Sequence, residues 1–106
     1  MNHIARISLV VALVAASGCA RRSPPQATAF DAERANVQIA DLQQGRKLLL
    51  GKCAGCHKTP MPSDHTAAEW PKAIDEMAER ANLDMRQRGL ITKYLVVMSE
   101  RPAATK

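Results

Sequence analysis

Two thiols three positions apart, with an imidazole beside the second, stand at Cys53-Ala54-Gly55-Cys56-His57. Such a cluster can do three kinds of chemistry. It can hold zinc, but a closed zinc site takes four ligands, and the chain's third cysteine, Cys19, stands alone far upstream. It can act as a thioredoxin-type redox pair, but that motif sits among strands, and no segment here alternates in the strand manner. Third, both sulfurs can join one porphyrin as thioethers while the adjacent histidine ligates its iron; C-x-x-C-H is the attachment pattern for a c-type haem. At a helix end the spacing presents two sulfurs to two edges of one ring, and small Ala54 and Gly55 let the backbone lie close to it. The third reading fits best. It makes Cys53 and Cys56 the attachment residues and His57 the proximal ligand of one covalent haem c.

A helix must deliver this cluster. Asp41 is a candidate N-cap, and Leu42, Gly45, Leu48 and Leu49 follow at helical spacing up to Cys53. A Pro-rich loop, 58–65, comes next. Thr66 stands three residues before Glu69, a capping-box spacing, and Pro71 either sits just inside a helix that restarts at Trp70 or bends its first turn. Trp70, Ile74, Met77, Ala78 and Ala81 then form one stripe. Asp84 and Gln87 make a second box ahead of a last helix whose inner face is Ile91, Tyr94, Leu95 and Met98. The expected fold class is all-α, with three principal helices in residues 41–106. Three short helices make a thin core, which a large flat apolar cofactor would complete.

The first residues read as an export signal. Ile7 to Ala16 is an apolar run far shorter than the roughly 20 residues that span a bilayer, and it has the length of a signal-peptide hydrophobic region. Ala16-Ser17-Gly18-Cys19 resembles the bacterial lipobox, with Ala where Leu is usual. That resemblance implies cleavage before Cys19 and lipid on its thiol. The plainer alternative is an ordinary signal peptide with Cys19 as a spare thiol. Residues 1–18 are thus expected to be a signal peptide. Residues 19–40 are expected to be a lipidated N-terminus and linker, with Pro24-Pro25 at its centre and a loose helix as the alternative for 31–40. The protein would face the periplasm. Ala20 is not the acidic residue associated with inner-membrane retention, which favours the outer membrane. Export also fits the cysteine motif, since c-type haem is attached outside the cytoplasm.

Removing residues 1–18 lowers the formal charge from +5 to +4, because Arg6 is the one Lys, Arg, Asp or Glu among them. The remaining basic residues alternate with acids, a pattern of solvated faces and not of nucleic-acid binding. Arg46, Lys47, Lys52 and Lys58 lie near the motif. They either steer an acidic partner or form such a face.

Residues 41–99 resemble a class I-type monohaem cytochrome c. Gly45 lies eight residues before Cys53 and Leu49 four before, and Leu90-Ile91-Thr92-Lys93-Tyr94-Leu95 looks like that family's C-terminal helix. The resemblance implies that Gly45 lets two helices cross closely, with Leu49 and Tyr94 filling the crossing. It also implies electron transfer to or from a redox protein partner, with no bond-making catalysis. The alternative function is an open-site haem protein that binds a small gas or turns over peroxide.

The far side of the iron decides between these two. Met61 is four residues after His57, and about 14 Å of chain is too short to pass round a porphyrin edge. Met98 belongs to the face expected in the core. Met77, on the Trp70 stripe, is the best candidate for the sixth ligand, with His65 and Met85 behind it. The chain departs from the family in lacking a separate Met-bearing loop just ahead of the last helix.

Overall fold

A computed structural model describes residues 23–53 and 58–102. These residues form four α-helices: α1 (Ala29–Ala35), α2 (Ile39–Cys53), α3 (Trp70–Ala78) and α4 (Met85–Ser99). A 3-10 turn, Pro62–Asp64, lies between α2 and α3. No strand occurs among the described residues, which are all-helical as expected; α2, α3 and α4 are the three principal helices expected of the domain, and α1 lies ahead of them in the stretch expected to be linker.

Local chemistry accounts for the helix starts. The Thr28 side chain caps the Asp31 N–H and the Asp31 carboxylate returns to the Thr28 N–H, a closed box at the start of α1. Asn36, in the left-handed region at φ 53°, ends that helix. The Asp84–Gln87 box opens α4 as predicted. Only half of the Thr66–Glu69 box forms, with the Thr66 N–H on the Glu69 carboxylate at 2.8 Å. Helix α3 begins at Trp70, with Pro71 inside its first turn. Asp41 is not an N-cap. Helix α2 starts two residues earlier, and the Asp41 carboxylate instead accepts from Lys93 on α4 at 2.7 Å.

The principal packing is α2 against α4, with α3 and the 3-10 turn also laid on α4. Leu42 and Leu49 of α2, Trp70 and Ile74 of α3, and Ile91, Tyr94 and Leu95 of α4 are fully buried. Gly45 is buried on the same face of α2. A Cβ built there would stand 2.8 Å from the Tyr94 Cβ, 2.9 Å from the Leu90 carbonyl carbon, and closer still to the Leu90 oxygen. The two backbones therefore meet at Gly45, at a separation only glycine permits.

The described part of the expected linker departs from that expectation. Pro24 is buried, and three consecutive carbonyls each receive a side-chain donor from the crossing helices or the turn after α4. Arg46 Nε donates to Pro24 O at 2.9 Å, Tyr94 Oη to Pro25 O at 2.5 Å, and Arg101 Nη2 to Gln26 O at 2.9 Å. Proline has no N–H to satisfy, so Pro24 and Pro25 offer the helices their carbonyls as the polar contact. Helix α1 follows and packs on α2 and α4. Among the described residues, packing on the body thus extends back to Pro24, ahead of Asp41.

Asp31 is the one buried charged residue among those described. Arg101 clamps it with both ends of its guanidinium, Nε to Oδ1 at 2.9 Å and Nη2 to Oδ2 at 2.6 Å. The Arg101 hydrogen bonds, aided by those from Thr28 and opposed by burial, hold the Asp31 carboxyl well below its usual range. The native state therefore binds the Asp31 proton less readily than the unfolded chain. This contribution to stability is complete above about pH 4 and is lost as pH falls through the lowered native value. We expect Asp31→Asn to cost about 2–3 kcal/mol at pH 7, since it leaves a half-buried Arg101 without its partner. Urea midpoints should show that difference shrinking below about pH 4.

Candidate functional site

The site is built from the end of α2. Leu42, Gly45 and Leu49 are buried along one face of this helix. At a spacing of three and four, Cys53 continues that stripe to the last helical residue. There it is half-buried and packed against the core. The helix thus brings one thiol of the motif to the edge of the apolar interior. Cys56 and His57 lie outside the described residues, as does Cys19.

Lys58 is exposed, residues 59–61 are half-buried, and Pro62 is buried. Met61 N–H donates to Asp64 Oδ2 at 2.8 Å, closing the 3-10 turn. Trp70 is fully buried, and its indole N–H donates to Pro62 O at 3.0 Å. His65 is exposed. Its ring meets Trp70 edge-on, with centroids 4.7 Å apart at 82°, and its Nδ1 is 3.9 Å from Glu69 Oε2. The Thr66 backbone N–H holds the exposed Glu69 carboxyl below its ordinary value.

The methionines separate by burial. Met77 lies near the end of α3, half-buried and packed on the core beside the Trp70–Ile74–Ala78 stripe. Met85 opens α4 and is 82% exposed. Met98 is 4% exposed, inside the core. Met61 and Met98 line a surface cleft of about 230 Å³ with Pro25, Pro62 and Arg101. Neither Cys53 nor Met77 borders that cleft, so it is a separate feature.

Among the described residues, no group of three or more His, Cys, Asp or Glu side chains is placed to hold a metal ion. No helix among them is long and apolar enough to cross a membrane. Of the predicted site residues, Cys53 and Met77 share the margin of one core, whereas His65 and Met85 project to solvent. Cys53 is a thiol at a helix end and Met77 a half-buried thioether packed on the same apolar body; thiolate and thioether are donor types that a haem site uses. Sequence reasoning missed the Trp70–Pro62 bond and the Asp31–Arg101 clamp. The Thr28-x-x-Asp31 spacing was a visible sign of the helix that carries the clamp.

Compared with known proteins, the chain matches no family model, no curated protein and no solved structure.

Proposed function

We propose that the protein is a small electron carrier of the cytochrome c kind. Cys53 and Cys56 would hold one haem c, with His57 as its proximal ligand and Met77 as its second axial donor. The observation that carries this reading is the C-x-x-C-H motif at the end of a helix whose buried stripe leads Cys53 to the core. The Gly45 crossing, anticipated from the resemblance, supports it. Bound haem supplies a one-electron iron couple. The chain's own part would be to hold the cofactor at Cys53 and Cys56 and to offer its iron two side-chain ligands, His57 and Met77. A thioether in the second position raises the potential relative to a second imidazole and leaves no place for a substrate. The partner is a redox protein. Arg46 has its Nε on the Pro24 carbonyl, whereas Lys47, Lys52 and Lys58 are exposed and free to face an acidic surface. No nucleic-acid role is proposed. Cys19 would carry lipid and keep the protein at the periplasmic face of a membrane, with the outer membrane favoured.

Covalent attachment is directly testable. The purified, denatured protein extracted with acidified organic solvent should keep all of its colour. If the pigment partitions into the solvent, the thioethers do not exist and the reading fails.

A further inference from the structure

Resting on that reading, we propose that Trp70 is a positioning residue. Its indole N–H fixes the segment that follows His57 to the helix that carries Met77, and so keeps the sulfur in its ligating place. Pro62 lies five residues beyond His57, and Trp70 lies seven before Met77, about two helical turns. The one buried hydrogen bond between these two segments is Trp70 Nε1 to Pro62 O. Around it the whole segment is knit together. Asp64 N–H returns to Met61 O at 2.9 Å, and the Glu69 and Trp70 N–H groups both reach Thr66 O. Met61 N–H reaches Asp64, and the His65 ring leans edge-on against the indole. Pro62 and Trp70 are both buried, so water does not readily replace the bond between them. A His57 ligand and a Met77 ligand belong to stretches of chain twenty residues apart. The indole bond is the short path that couples those stretches.

The tryptophan is the only one in the chain, and 3-benzothienylalanine keeps its shape while putting sulfur in place of N–H. The isosteric protein should fold with unchanged helix signal. A hydrogen bond of ordinary strength corresponds to about a fivefold shift in an equilibrium. Carbon monoxide uptake by the reduced protein, which reports the sulfur-off state, should therefore rise about fivefold. The Asp64 and Glu69 amides should also exchange faster, a readout independent of the haem. Ile74→Val, a core change that leaves Pro62 alone, should alter neither readout. Unchanged carbon monoxide uptake in the isostere overturns the proposal. Should the isostere not fold, Asp64→Ala releases the same turn from an exposed position and must raise uptake in the same direction; no rise there also overturns it. A native protein without covalent haem sinks the electron-carrier reading and this assignment together, whereas a haem protein indifferent to the indole sinks this assignment alone.

Discussion

Gly45→Ala should destabilise the folded protein by about 2 kcal/mol, whereas Gly51→Ala, six residues along the same helix, should stabilise it by up to about 1 kcal/mol. The two changes are chemically identical and differ in what the new methyl meets. At Gly51 nothing lies within 4 Å of the added Cβ, so the helix keeps the full propensity gain of alanine over glycine. At Gly45 the methyl meets the backbone of α4 at Leu90, and the Tyr94 Cβ 2.8 Å away. Carbon atoms rest about 3.5–4.0 Å apart, and a helix backbone cannot swing aside as a flexible side chain can. The helices must separate, which opens the seam between Leu42, Leu49, Ile91 and Tyr94. Overpacking of this kind costs about 3 kcal/mol at its upper end, and the propensity gain of about 1 kcal/mol offsets part of it. Against a total stability of about 5–15 kcal/mol, the loss is plain in a urea titration followed by helix signal. A Gly45→Ala protein as stable as the Gly51→Ala protein would mean that the two helices do not meet where the structure brings them together.

This crossing was legible in the sequence because it is written in periodic side chains. Leu42, Gly45 and Leu49 repeat at helical spacing, as do Ile91, Tyr94, Leu95 and Met98, and the structure buries all seven. The Asp84–Gln87 box was legible because both halves lie within four residues. What stayed hidden is joined across the chain. Pro24-Pro25-Gln26 carries no apolar period, and a run of prolines with small polar residues has the composition of a linker. Its carbonyls are held by Arg46, Tyr94 and Arg101, donors 22 to 75 residues distant. Asp41 has the residue type of a cap, but its partner is Lys93, 52 residues away. The described residues of the candidate site belong to the legible part. The helical stripe points to Cys53 from sequence alone, and the same periodicity places Met98 in the core and Met77 beside the Trp70 stripe, where the structure has them.

If Met77 ligates a haem iron as proposed, Met77→Ala should abolish the weak charge-transfer band that a thioether on ferric iron gives at the red end of the spectrum. It should also lower the reduction potential and open the iron to carbon monoxide. Neither of the other helical methionines should do this. Met85 is 82% exposed at the first residue of α4, so Met85→Ala should leave band, potential and stability as they were. Met98 is 4% exposed among the core residues of α4. Its truncation should cost about 2–4 kcal/mol through the cavity left behind, with the band intact. Met77 differs from both. It is half-buried on the core and stands beside the stripe that Trp70, Ile74 and Ala78 bury. A sulfur in that position is partly sheltered from water without being wholly enclosed by protein. Losing it removes a donor that favours the reduced state, so the potential moves down. Three spectra and three redox titrations decide the assignment. If Met77→Ala keeps the band and the potential, Met77 is not the ligand. If the native protein has no band and takes up carbon monoxide readily, the second axial position is open in the native state, and binding or turnover of a small molecule replaces electron transfer as the reading to pursue.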